Sequence, residues 1–142
     1  MTQTGKTVLA LDAHGGDQGL AVSVPAAVAA LNLDPRLQIV LVGDQAALEA
    51  PLDSALRSAG KPSRASARPR IRLHHADSVN AKDAKPAAVL RRGQGSSMWR
   101  AFEFASAGQA DACIRGGNTA AMLVIGVKVL GILPVIQRPA LM

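Results

Sequence analysis

Aromatic side chains are nearly missing from this chain: one Trp, two Phe and no Tyr among 142 residues. Surfaces that bind single-stranded nucleic acid stack bases on aromatic rings. A nucleic-acid partner therefore rests only on the formal net charge of +6. Cysteine is scarcer still. Cys113 stands alone, so no intrachain disulfide can form, which fits a reducing cytoplasm. It falls in an apparent buried strand, where packing accounts for it better than nucleophilic chemistry. Long apolar runs are also lacking. Residues 120–133 are interrupted by Lys128 and fall short of the ~18 residues of a spanning helix. A polar, loose start over residues 1–7 does not read as a secretion signal. No G-x-G-x-x-G follows the first strand, and no Walker loop or G-x-S-x-G elbow occurs. Dinucleotide binding, P-loop chemistry and serine hydrolysis are left without support.

What is present is small and apolar. Hydrophobic residues make up 49% of the chain, too many for disorder, and the core must be built from Ala, Val, Leu and Ile. The length suits one domain over residues 1–142. The positive balance favours an anionic partner or serves only solubility. Residues 8–11 read as a strand, and residues 37–42 as a second with two buried faces. Between them Pro25 suits the first position of a helix that runs through Leu31. That helix is apolar nearly all round, so burial on more than one side is expected. Leu48, Leu52 and Leu56 share one helical face, with Pro51 expected to kink or divide that helix and Gly60 to close it. Residues 60–70 carry no apolar period and read as a mobile basic loop.

Ile71 to His75 make a third strand. Adjacent strand residues point to opposite faces, so His74 and His75 do not form a metal pair, and no metal site is expected. Pro86 opens a short helix that breaks at Gly93. Ser96 or Ser97 starts another, with Met98, Phe102 and Ala105 inward. Residues 111–114 form a last strand, and residues 119–133 a helix capped by Asn118 or Thr119 and stopped by Pro134. Residues 138–142 look like the approach to a further strand. The order β-α-β-α-β-α-α-β-α predicts an α/β fold, a mostly parallel sheet with helices on both faces.

Two loops share one design. Asp12-Ala13-His14-Gly15-Gly16-Asp17 follows the first strand, and Arg115-Gly116-Gly117-Asn118-Thr119 follows the last. In open α/β sheets, ligands sit beyond the carboxyl ends of the strands. Backbone N–H groups at Gly15, Gly16, Gly117 and the helix start at Thr119 suit a phosphate. Lys85 supplies positive charge, and Asn118 a side-chain amide for a developing oxyanion. Asp17 repels an anion directly, so it is expected to orient Lys85, Arg115 or a backbone turn. His14 has no evident partner. The glycines read equally well as tight turns and caps alone.

The motifs resemble those of the bacterial phosphate acyltransferase family of phospholipid synthesis, the acyl-[acyl-carrier-protein]–phosphate acyltransferases. Those that carry the resemblance are Leu11-Asp12-Ala13-His14-Gly15-Gly16-Asp17, Ile39-Val40-Leu41-Val42-Gly43-Asp44, Asp83-Ala84-Lys85-Pro86, Leu90-Arg91-Arg92, Ser96-Ser97-Met98, Gly117-Asn118-Thr119 and Arg138-Pro139-Ala140-Leu141. The resemblance implies a three-layer α/β/α fold like that of phosphotransacetylases and isopropylmalate dehydrogenase, here truncated to the N-terminal part. It implies that inorganic phosphate attacks the thioester of acyl-loaded acyl carrier protein. The acyl phosphate product would pass to a membrane glycerol 3-phosphate acyltransferase. It further implies a cytoplasmic homodimer, peripheral at the inner face of the membrane, with no cofactor and no nucleic acid.

Five positions depart from the family pattern: His14 for the usual Met, Leu20 for Pro, Arg115-Gly116 for Ser-Ala, and Ala120 for Gly. Two other readings stay open. One is a short-acyl phosphotransacetylase. The other is an inactive fragment or non-catalytic basic module that binds acyl carrier protein or membrane.

Overall fold

A computed structural model of the chain describes residues 5–139. Its centre is a four-stranded sheet in the order β3-β2-β1-β4, with β1 Thr7–Asp12, β2 Leu37–Gly43, β3 Ile71–His75 and β4 Ala112–Ile114. Every pairing is parallel. Strand β2 explains the arrangement. Its run Leu-Gln-Ile-Val-Leu-Val is apolar on both faces, which suits the centre of a covered parallel sheet. Alternation then divides the core. Leu9, Leu11, Ile39, Leu41 and Leu73 face one side; Val8, Ala10, Val40, Val42 and Cys113 face the other.

Helices cover both sides, giving three layers. On the first side lie α1 (Leu20–Leu33), α2 (Gln45–Ser58) and α3 (Lys61–Ala67). Leu48, Leu52 and Leu56 of α2 are almost fully buried there, each worth about 2 kcal/mol at most. On the second side lie α4 (Pro86–Arg92), α5 (Ser97–Ser106) and α6 (Thr119–Leu130). The Ser96 hydroxyl accepts the Trp99 N–H and so caps α5. Met98 and Phe102 are buried against Ala121 and Ile125 of α6, while Ala105 is half-buried.

Several sequence expectations are corrected. Thr7 belongs to β1 rather than to a loose start; residues 1–4 lie outside the described residues. Helix α1 starts at Leu20, so Pro25 sits inside it. It is buried on one side only, through Val24, Ala27, Val28 and Leu31, while Val22 and Leu33 are exposed. Pro51 neither ends nor divides α2. A proline removes one N–H bond, and the buried leucines on either side hold this helix through it.

Residues 60–70 are not a loose loop. They form α3 and a single 3₁₀ turn, Arg68–Arg70. Burial of Ala67 and the Arg70 guanidinium hold them. That guanidinium donates to the carbonyls of Leu31, Asp34, Leu37 and Ser66 and to the Ser66 hydroxyl. Strand β4 is an edge rather than a buried strand: Ala112 and Ile114 are exposed, and Cys113 is half-buried. Helix α6 ends at Gly131, before Pro134. Of the expected strand approach at 138–142, residues 140–142 lie outside the described residues.

Candidate functional site

Strand order places the site. The chain passes from β1 to β2 on one flank, then returns from β3 to β4 on the other flank of β1. The seam between β1 and β4 is therefore the topological switch point of the sheet, where crevices open beyond the strand ends. The last paired residues are Leu11 and Ile114. Asp12 and Arg115 come next on the two strands, and beyond them lie the two glycine turns.

The turns touch. The Gly16 N–H donates to the Gly116 carbonyl at 2.6 Å. A Cβ on Gly15 would lie 2.8 Å from the Gly116 oxygen and 2.9 Å from its nitrogen. Only glycine allows two backbones this close. The approach also uses up donors. Gly15 N–H is engaged by the Asp12 carbonyl and Gly16 N–H by Gly116, so neither is free for an anion. On this turn, free N–H groups begin only at Asp17, whose exposed carboxylate opposes an anion.

The second turn differs. Asn118 adopts a left-handed conformation, φ 41°, and its Oδ1 accepts the Ala121 N–H as the cap of α6. Among the described residues, the N–H groups of Gly117, Asn118, Thr119 and Ala120 meet no protein acceptor. These four lie at the start of a twelve-residue helix, where the dipole favours negative charge.

Asn118 Nδ2 also donates to the Ala84 carbonyl at 3.3 Å, which fixes the backbone beside Lys85. The Lys85 carbonyl accepts the Ala88 and Val89 N–H groups, while its exposed ammonium has no hydrogen-bond or ion-pair partner among the described residues. Asp17 does not engage Lys85 or Arg115. Its backbone carbonyl accepts from Lys82 Nζ, and its carboxylate lies 4.0 Å from the same group. Three loops, at the ends of β1, β3 and β4, are thus tied together by Lys82, Asn118 and the Gly16–Gly116 contact.

Beneath the turns lies a buried ion pair that sequence reading did not anticipate. Arg115 Nη1 stands 3.3 Å from Asp12 Oδ2, with the two side chains 4% and 2% exposed. Arg115 Nε donates to the Gly116 carbonyl, and Asp12 Oδ1 accepts the His14 N–H. Burial lowers the Arg115 pKa, and the Asp12 carboxylate opposes that shift. Burial, reinforced by Asp12, pushes the Cys113 thiol up to about 11, which suits packing and not a nucleophile. The strand register was the missing signal: opposite charges one step past Leu11 and Ile114 must face each other.

His14 has a partner after all. Its Nε2 accepts the Asp44 N–H at 3.0 Å. His75 Nδ1 accepts the Gln45 N–H, and His74 packs edge-on against Phe104 at 4.8 Å. Burial, then Arg100 and His75, lower the His74 pKa. Among the described residues no group of three or more His, Cys, Asp or Glu could hold a metal.

A groove of about 490 Å³ starts at Gly15, Gly16 and Gly116. It runs between the Leu9, Leu11 and Ile39 face of the sheet and the Ser23, Ala26 and Ala30 side of α1. Its lining is mostly apolar, and it reaches the glycine turns.

The family model described as "Fatty acid synthesis protein" matches residues 7–142, a span that includes both turns, the ion pair and the groove. The chain belongs to this family. It is 43% identical over 133 residues to the phosphate acyltransferase of Vibrio atlanticus, covering 94% of this chain and 37% of that protein. To the phosphate acyltransferase of Methylococcus capsulatus it is 43% identical over 135 residues, covering 95% and 38%. To that of Shewanella amazonensis it is 44% identical over 133 residues, covering 94% and 36%. The chain spans a little over a third of the length of the curated relatives it matches. Family membership therefore attaches to the strand–turn–helix units described above.

Proposed function

We propose that the seam between β1 and β4 holds inorganic phosphate for attack on an acyl thioester carried by acyl carrier protein. A phosphate oxygen forms a bond to the thioester carbonyl carbon. The carbon–sulfur bond breaks, acyl phosphate forms, and the carrier leaves as the thiol. The observation that carries this reading is the set of four N–H groups at Gly117–Ala120 that meet no protein acceptor among the described residues, at the head of α6 and with Gly117 beside Gly16. Neutral donors hold an anion without quenching it as a nucleophile. Holding it near the carbonyl is worth several kcal/mol, of the ~7–11 kcal/mol that full orientation can supply.

The other parts have roles in the same scheme. Lys85 supplies positive charge from the β3 loop. Asn118 caps the donor helix, and its second amide proton is the candidate donor to the tetrahedral oxyanion. Gly15 and Gly16 act by shape, letting the turns close. Asp17 holds Lys82 and keeps the third loop in place. The apolar groove offers room for an acyl chain whose carbonyl end lies at the turns. A charge of +6 steers an acidic carrier protein. No described helix is long and apolar enough to cross a membrane. The reading includes a cytoplasmic homodimer, peripheral at the membrane, that passes its product to a glycerol 3-phosphate acyltransferase.

The test is to incubate the chain with phosphate and either long-acyl carrier protein or acetyl-coenzyme A. Acyl phosphate is trapped as the hydroxamate. Product from the carrier substrate alone, saturating in phosphate, is expected. Product from acetyl-coenzyme A alone would favour the short-acyl phosphotransacetylase. Carrier binding without turnover by folded chain would leave a binding module. Absence of phosphate binding would remove the site.

A further inference from the structure

We infer that Arg115 is a positioning residue: with Asp12 it latches the two glycine turns together and so sets where the Gly117–Ala120 N–H groups point. The phosphate part of this inference rests on the function proposed above; the latch itself does not.

Arg115 reaches both turns at once. Its Nη1 lies 3.3 Å from Asp12, the residue that opens the first turn. Its Nε holds the Gly116 carbonyl of the second turn at 3.1 Å. That same carbonyl accepts the Gly16 N–H at 2.6 Å. One oxygen thus receives a donor from each side, and Arg115 supplies the charged one, the stronger kind. Asp12 in turn accepts the His14 N–H, and His14 is pinned to Asp44. The turn is held at both ends.

The pair is better suited to placing backbone than to adding charge. Asp12 and Arg115 neutralise each other, so they present little net field to an anion. Both side chains are almost wholly buried, and Arg115 Nη1 makes no well-formed hydrogen bond. Buried ion pairs are often no more stabilising than apolar replacements. What an apolar pair would not replace is the Nε donor to Gly116. Phosphate affinity should then depend on Arg115 although its guanidinium faces Asp12.

The test compares the parent chain with Asp12→Asn/Arg115→Met, which leaves no uncompensated buried charge, and with Arg115→Lys. Amide hydrogen exchange at Gly16 reads the latch, exchange at Leu41 in the central strand reads the core, and titration with inorganic phosphate reads the consequence. In the double variant, Gly16 exchange is expected to rise about tenfold and phosphate affinity to fall about tenfold, the scale of one lost hydrogen bond, with Leu41 unchanged. Arg115→Lys keeps the charge but lacks the fork, so Gly16 exchange should rise there too. Should the double variant fail to fold, Arg115→Lys decides alone. Gly16 exchange within twofold of the parent in the folded variants overturns the latch. Faster Gly16 exchange with unchanged phosphate affinity overturns the positioning role. A parent chain that binds no phosphate overturns the proposed function, and Gly16 exchange then still decides whether Arg115 is the latch.

Discussion

The two glycine turns look alike in sequence and do different work. The turn after β1 has its Gly15 and Gly16 N–H groups engaged, one by Asp12 and one by Gly116. The turn after β4 leaves the Gly117–Ala120 N–H groups free at the head of α6. The first is a spacer packed against the second; the second presents donors. A repeated Gly-Gly therefore does not imply a repeated ligand contact. What separates the two is the residue that follows. Asp17 puts an exposed carboxylate beside its turn, whereas Asn118 turns its oxygen inward to cap a helix.

The largest effect should come from forcing the spacer open. Gly15→Ala places a Cβ 2.7 Å from Arg115 Cγ and under 3 Å from the Gly116 backbone. Backbone cannot swing aside as a flexible side chain does, so a loss of about 3 kcal/mol is expected, together with loss of phosphate binding. Gly116→Ala meets Gly16 Cα at 3.2 Å and should cost about 1 kcal/mol, the mild end of overpacking. Urea unfolding of the two variants measures the difference. Equal costs would mean that the turns separate freely and that their contact is incidental.

A smaller effect sharpens the donor side. Asn118→Ala removes the cap and leaves a β-carbon residue at positive φ, so about 1–2 kcal/mol should be lost. Asn118→Asp keeps a cap oxygen and places a negative charge at a helix start but loses the donor to the Ala84 carbonyl, so its melting temperature should fall less than that of Asn118→Ala. That charge stands among the free N–H groups, and phosphate affinity should fall about tenfold or more. Thermal melts with and without phosphate separate the cap from the binding role. If Asn118→Asp binds phosphate like the parent, the donors at 117–120 do not hold the anion.

Much of the frame was legible in the chain. The run from Leu37 to Val42 fitted a doubly covered strand, and Ser96-Ser97 marked the start of α5, with Ser96 as its cap. The helix over 61–67 was not legible. It has no apolar period, and it exists because Arg70 gathers carbonyls from α1 and the start of β2. Pro25 misled because local rules put proline at a helix start, and Pro51 because they let proline divide a helix, while buried leucines and valines on either side carry these helices through. At the site, glycine spacing marked both turns. It could not mark the Asp12–Arg115 pair, because partners 103 positions apart meet only through strand register. Nor could charge pattern choose between Lys82 and Lys85, which lie on one loop and differ only in where the backbone aims them.

That pair of lysines gives the smallest and most discriminating comparison. Lys82 meets Asp17 on the spacer turn, through an exposed contact with both side chains largely in water. Removing it should change stability by less than ~0.5 kcal/mol, as for other surface ion pairs. Phosphate affinity should move little. The Lys85 ammonium has no protein partner among the described residues, and the Asn118 amide fixes its backbone neighbour. Lys85→Ala should leave unfolding unchanged and weaken phosphate binding a few-fold, an effect that shrinks as salt rises because an exposed charge is screened. Titrations of the two variants at low and high ionic strength measure this. A salt-sensitive loss in Lys85→Ala alone assigns the free cation to the ligand. The same loss in Lys82→Ala alone would move that role to the residue beside Asp17 and make the first turn more than a spacer.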